Sequence, residues 1–359
     1  MFNKSRLSLA RRRRGLTKKQ LAELVSVEPR SISAFEAGEY PPIYGTLDKI
    51  ARAVSFPPSF FLGDDLDEPS RDGVSFRSMA RMTARHRDAA LAAGTLAFLL
   101  TDWMENRFTL PRPDLLDLRY ETPESAAISL RQYWEIGERP IRNMIQVLEA
   151  KGVRVFSLAE NCRELDAFSL WRETQPFIFL NTNKTPEHGR FNAAHELGHL
   201  VLHQHGAPIG QEAEREAQSF ASAFLMPRAS IKAVEGIVPS LPYLIRLKRR
   251  WSVSLSALVY RLHKLGIIGD WHNRSLCIEI RRRYGNSEPN GIAMETSQVW
   301  DKVFSQLRSE GLTKADIANQ LEVQPQEIEM LVFHFVTMSL SSSSPSRKTA
   351  RNTRLRLLR

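Results

Sequence analysis

The segment from Arg190 to His203 combines residue types and a spacing that suit metal-assisted hydrolysis. It contains His195, Glu196 and His199 in the pattern His-Glu-x-x-His, among small and apolar residues. On a helix, residues four apart lie about 40° apart around the axis, so both imidazoles face one point, as tetrahedral Zn²⁺ requires. We therefore predict that His195 and His199 are zinc ligands and that Glu196 is the general base, then the general acid to the leaving amine. The alternative is a core helix whose two histidines make internal hydrogen bonds.

A zinc peptidase needs a third protein ligand, and a predicted helix over residues 211–227 offers carboxylates. Glu214 shares a helix face with Ala217 and Ala221, whose small side chains allow close approach to the metal helix. We therefore expect Glu214 to be the third ligand, with Glu216 as the alternative.

Two further histidines, His203 and His205, follow the motif closely. Their position would allow them to orient a substrate or to polarise the scissile carbonyl. The alternative is that they are surface residues beyond the end of the metal helix.

The first 62 residues have the pattern of a tight series of short helices. Thr17 and Gln20 have the spacing of a capping box, and a second helix would run from Pro29 to a stop near Gly38. This pattern resembles the Xre/Cro repressor family, whose helix-turn-helix domain inserts its second helix into the major groove of double-stranded DNA. The candidate contacts are Arg30, Ser31 and Ser33 to bases, and Lys19 and Gln20 to phosphates.

Three short segments around the metal motif point to a known family. They are Phe191-x-x-Ala194 before the motif, Glu214-x-x-Ala217 after it, and Leu225-Met226-Pro227. They resemble the ImmA/IrrE family of zinc metallopeptidases, a gluzincin-like class in which fusion to an Xre-type head is common. The resemblance implies a cytoplasmic regulator that cleaves a specific repressor. It also suggests that Phe177 and Phe179 lie on an edge strand to which a substrate peptide adds as a further strand.

The basic character of the sequence is concentrated at its two ends. The formal net charge is +10, of which residues 1–62 carry +6 and residues 341–359 carry +6, leaving −2 between them. A localised basic surface suits the phosphate backbone of DNA, and Arg11 to Arg14 would form either a phosphate clamp or a solvated helix face. Two distant cysteines exclude a disulfide framework. With no apolar leader and no apolar stretch of about 20 residues, we expect a cytoplasmic protein without a membrane span.

These features predict a mainly α fold with a small β-sheet, α+β in class. We expect a five-helix Xre-type domain at 1–62, a linker at 63–75, a gluzincin-like metallopeptidase domain at 76–290, a helix-turn-helix-like helical region at 296–338 and a disordered basic tail at 341–359. The helical region repeats residues 15–32 at an offset of 296. Because Gln326 replaces Arg30 in the repeat, and Glu327 and Glu329 add negative charge, we expect this region to make structural or protein contacts, with DNA binding as the alternative.

The favoured interpretation is a DNA-binding transcriptional regulator fused to a zinc-dependent endopeptidase that cleaves a specific repressor or antitoxin-like protein, encoded nearby. A second interpretation is a non-proteolytic transcription factor whose peptidase-like domain senses a ligand or binds a partner. A third is a protease that the DNA-binding head holds near a DNA-bound substrate. All three are compatible with a homodimer.

Overall fold

The computed structural model of the chain describes residues 1–70, 83–158, 165–204, 210–233, 239–285 and 287–336. The described residues are mainly helical with one small sheet, which confirms the predicted fold class. In these ranges no helix has both the length and the hydropathy required to cross a bilayer. The predicted basic tail at 341–359 and residues 71–75 of the predicted linker lie outside them.

The N-terminal head consists of four α-helices and a closing 3-10 helix. They are α1 Lys4–Arg13, α2 Lys18–Val25, α3 Pro29–Ala37, α4 Tyr44–Val54 and the 3-10 helix Pro58–Leu62. The predicted capping box is present, because the Thr17 hydroxyl accepts the Gln20 N–H and the Gln20 side chain accepts the Thr17 N–H. Leu21 and Ile32 are fully buried where the helices meet. The five-helix head expected from the sequence is therefore confirmed.

Three helices and a three-stranded sheet precede the metal motif. The helices are α5 Ala84–Glu105, α6 Pro123–Tyr133 and α7 Met144–Ala150, and the strands are β1 Arg154–Ser157, β2 Ala167–Arg172 and β3 Gln175–Leu180. The strand order is β1-β3-β2, with β1 parallel and β2 antiparallel to β3. The expectation of an edge strand at 177–180 is wrong, because the backbone of β3 pairs with a strand on each side.

The metal motif lies on α8, Pro186–Leu202, which packs against α9, Gln211–Leu225. A Cβ atom at Gly198 would lie 3.0 Å from Cδ1 of Phe220 and 3.2 Å from Cα of Ala217. Glycine at this position therefore allows α9 to approach α8 closely, as the small residues of α9 also do.

The remaining helices follow in two groups. They are α10 Arg228–Lys232, α11 Leu241–Trp251, α12 Leu255–Lys264 and α13 Asp270–Tyr284, then α14 Gln298–Ser309, α15 Lys314–Gln320 and α16 Pro325–Leu331.

The same turn joins a helix pair at three places in the chain. Each turn has a left-handed residue, then a valine, then the N-cap of the next helix, in the pairs α2–α3, α11–α12 and α15–α16. The left-handed residues are Ser26, Ser252 and Glu322, with φ of 57°, 54° and 56°. The C-terminal repeat of the sequence thus has the helix-turn-helix geometry of the head. The pair α11–α12 has the same geometry, although its sequence is not part of the repeat.

The head and the C-terminal helices pack against each other and against α5. Helix α1 contacts α5. The buried carboxylate of Glu327 lies 2.8 Å from Nε of Arg13 and 2.6 Å from Nη1 of Arg14. Trp103 on α5 donates its Nε1–H to the side chain of Gln320, at 2.9 Å. The C-terminal repeat therefore makes contacts within the chain, as its acidic residues suggested.

The described part of the predicted linker, residues 63–70, also lies against the head. Arg6 Nε donates to the carbonyl oxygen of Asp64 at 2.6 Å, and Arg12 pairs with Glu68 at 2.6 Å. One contact is to the main chain and the other is an ion pair, and together they hold the segment against α1.

Candidate metal centre

Three side chains from two helices converge at the surface between α8 and α9. The Nε2 atoms of His195 and His199 lie 3.1 Å apart, and each lies 3.4 Å from an oxygen of the Glu214 carboxylate. All of their ligand atoms lie within 4.8 Å of one another. The structure thus brings together the three residues that the sequence predicted as ligands.

The local sequence explains this convergence. Helix α8 begins with Thr185 as N-cap and Pro186 in its first turn, and it places His195 and His199 one turn apart. The close approach of α9 at Gly198 then brings Glu214, in the first turn of α9, to the two imidazoles.

The electrostatics of the cluster keep its carboxylate ionised. Burial alone would raise the pKa of Glu214, but hydrogen bonds and charge from His195 and His199 outweigh burial and hold that pKa far below its usual range. Two imidazole nitrogens and one carboxylate form the donor set of a catalytic zinc site that leaves one position for water or substrate. The residues present therefore fit a zinc ion.

Glu196 follows His195 on α8, and its side chain is held by the sheet. Its side chain is buried, with 3% of its surface exposed, and its Oε2 accepts a hydrogen bond of 2.7 Å from the hydroxyl of Ser169 on β2. No sequence pattern pointed to Ser169, because its partner Glu196 lies 27 residues away on another element. Strand β2 therefore orients the predicted general base.

Behind His199, a second pair of side chains continues the hydrogen bonding away from the cluster. His199 Nδ1 lies 2.9 Å from Nδ1 of His203, and His203 Nε2 lies 2.9 Å from Oε2 of Glu216. Burial lowers the pKa of His203, which favours its neutral ring. Glu216, the alternative third ligand, is thus held by His203, and His203 lies on the far side of the His199 ring. His205 lies outside the described residues.

On the head, the predicted DNA-contact residues lie at the surface. Lys19, Gln20 and Arg30 are exposed, and Ser31 and Ser33 are half-buried on α3. The recognition helix is therefore accessible to a DNA duplex.

The arginine run of α1 differs from both sequence interpretations. Arg11 forms a bidentate pair with Glu36, with its Nε 2.6 Å from the carboxylate, and Arg13 is buried against Glu327. Arg14 donates to the carbonyl oxygens of Val54 and Ser55. The run is neither a phosphate clamp nor a solvated face, since these guanidinium groups hold the head together and join it to α16.

Comparisons with known protein families agree with both parts of this architecture. Residues 148–263 match the peptidase family M78 model described as the IrrE N-terminal-like domain, and residues 5–59 match a helix-turn-helix domain model. The chain joins a helix-turn-helix domain to an IrrE-like peptidase domain. A search of curated proteins found no match to the chain.

The IrrE-like domain keeps the predicted substrate residues in its core. Phe177 and Phe179 are 0% exposed, and their rings stack with Phe156 and Phe168. Because β3 is the central strand, its apolar run fills the core and offers no edge to a peptide. The assignment of Phe177 and Phe179 to substrate binding is therefore wrong.

Proposed function

We propose that the protein is a zinc-dependent endopeptidase that a DNA-binding head directs to its place of action. The observation that carries this proposal is the convergence of His195, His199 and Glu214 beside a buried, hydrogen-bonded Glu196. A plain helical core would provide hydrogen bonds for two histidines, but it would not bring an ionised carboxylate from a second helix to both imidazoles.

In this proposal His195, His199 and Glu214 hold the ion. When bound, Zn²⁺ would lower the pKa of a water molecule and polarise the scissile carbonyl. Glu196 accepts the proton of the attacking water and later delivers a proton to the leaving amine nitrogen. Ser169 holds the Glu196 carboxylate in place through its 2.7 Å hydrogen bond.

His203 and Glu216 act as positioning residues for His199. With Nε2 of His199 on the metal, its Nδ1 carries the proton and donates to Nδ1 of His203, whose Nε2–H donates to Glu216. This order of donors leaves one tautomer for each ring, so the pair fixes the orientation of His199.

The head brings this activity to DNA through α3. Arg30 is the candidate for bidentate contact with guanine, with Ser31 and Ser33 beside it and with Lys19 and Gln20 on phosphates. The protein substrate in this proposal is a repressor or antitoxin-like protein encoded nearby.

The test is co-expression of the full chain with each protein encoded beside it, followed by mass spectrometry of the products. We expect one neighbour to be cleaved at a defined bond by the natural chain and to stay intact with Glu196→Gln. Zinc content should be equal in both proteins, because Glu196 is not a ligand. Cleavage that survives Glu196→Gln would contradict the proposed mechanism.

A second candidate function is a regulator whose IrrE-like domain senses a ligand or partner without cleaving it. The packing of α1 on α5 favours it, because α5 in turn packs on the sheet of the IrrE-like domain through Phe98 and Phe177 and would carry a change there to the head. Equal transcriptional regulation by the natural chain and by Glu196→Gln, with no cleaved neighbour, would support this function.

A further inference from the structure

A second strongly basic region lies far from the head in the sequence. Residues 239–285 contain ten Lys and Arg against two Asp and Glu, a net charge of +8, which exceeds the +6 of the head. The near-neutral middle of the chain therefore hides a cationic segment, which comprises α11, α12 and α13.

Most of these cations are exposed and have no internal counter-charge. The two acids of the segment are both engaged, Asp270 with His263 at 2.7 Å and Glu279 with Arg283 at 2.7 Å. Six exposed arginines make no ion pair and no hydrogen bond with the described residues. They are Arg246, Arg249 and Arg250 on α11, and Arg274, Arg281 and Arg282 on α13.

Helix α13 has one buried edge and one long exposed face. Its buried residues are Leu276 and Ile280, whereas Trp271 is 81% exposed and Ile278 is 63% exposed. At 100° per residue, Trp271, Arg274, Ile278, Arg281 and Arg282 fall within about 100° of one another, opposite the buried edge. From Trp271 to Arg282 this face extends about 16 Å along the helix axis.

The single arginine of α12 does not contribute to the exposed positive charge of this segment. Arg261 in α12 is buried and donates to both oxygens of Glu124, at 2.6 and 2.7 Å. Leu258 and Leu262 are also fully buried. The exposed arginines of this region therefore lie on α11 and α13.

We propose that the exposed face of α13 is a second surface that binds the phosphate backbone of duplex DNA without reading its sequence. A duplex presents one negative charge per about 1.7 Å of its axis, so a 16 Å face with three arginines lies opposite several phosphates. Arginines that outnumber the acids of the segment complement such a uniform anion better than a protein surface of balanced charge. This surface is independent of zinc and of Arg30, and it would keep the protein on DNA between specific sites.

The test measures binding of the full chain to a duplex of random sequence at 50 to 200 mM KCl. In the variant with Arg274, Arg281 and Arg282 all changed to Gln, each lost phosphate contact should reduce the slope of log K against log salt by about 0.9. That is about an eightfold loss of affinity per contact at 0.1 M salt. The control changes Arg142, Arg228 and Arg308 to Gln, three exposed arginines on other parts of the chain.

An unchanged salt slope in the α13 variant, or an equal reduction in the control, would overturn the proposal. Trp271→Ala tests the alternative that this surface is a protein interface. If it dissociates a dimer in sedimentation experiments while the α13 variant binds DNA normally, the surface belongs to a protein partner and the proposal is wrong. Arg30→Ala alters only the head and should leave the binding of random-sequence DNA by α13 unchanged.

Discussion

Replacement of His203 by Phe should weaken zinc binding although His203 touches no metal. The change keeps a flat ring in the buried space but removes both 2.9 Å contacts, the one to His199 Nδ1 and the one to Glu216. The Nδ1–H of His199 would then be buried without this acceptor, at a cost of about 1–3 kcal/mol. Loss of such a partner of a metal-bound histidine typically reduces affinity by about 10- to 100-fold, or roughly 1.4–2.7 kcal/mol, so the two estimates agree.

The assay is competition for zinc between the full chain and a chromophoric chelator. Glu216→Gln should show a smaller loss, because the amide oxygen still accepts the Nε2–H of His203. Glu212→Gln is the matched control, since it removes the same charge from an exposed position of the same helix. A dissociation constant for zinc that is equal in His203→Phe and the natural chain would refute the positioning role.

Three further outcomes follow from the same structure. Glu327→Ala should lower the free energy of unfolding by about 3–5 kcal/mol, read from urea melts, because it leaves the buried guanidinium of Arg13 without this counter-charge. Burial raises the pKa of Glu149 to about 7, so its contribution to stability is greatest below pH 4.5 and is lost as pH rises to 7, by roughly 3 kcal/mol. Glu149→Gln should flatten this part of the stability profile, and an unchanged profile would show that burial does not control this carboxyl. Arg30→Ala should cost about 1–3 kcal/mol of operator affinity in a gel-shift titration, whereas Lys49→Ala on α4 should cost much less.

The parts of the fold that the sequence predicted are those controlled by local patterns. The capping box at Thr17, the turn before Pro29 and the helical spacing of His195 and His199 are properties of adjacent residues, and the structure contains all three. The position of Glu214 could also be predicted from the sequence, because the small residues that share its helix face indicate which side of α9 packs on the metal helix.

The parts that the sequence missed depend on contacts between distant segments. An apolar strand such as β3 has the same sequence pattern at the centre or the edge of a sheet, and its partners decide which it is. Likewise, the sequence around Arg13 does not distinguish a buried arginine from a solvated one, because its partner Glu327 lies 314 residues away. The hydrogen bonds of Ser169 and His203 depend in the same way on tertiary packing. Ser169 reaches Glu196 because the sheet packs on α8, and His203 reaches Glu216 because α9 packs on α8.

Titration of zinc into the metal-free protein tests the central claim most directly, with cleavage of the neighbour-encoded substrate followed at each addition. We predict that the cleavage rate rises linearly to one zinc per chain and then levels off. Glu196→Gln should bind one zinc and cleave nothing, and Glu214→Ala should bind zinc much more weakly. A full cleavage rate without zinc, or cleavage by zinc-loaded Glu196→Gln, would contradict the account.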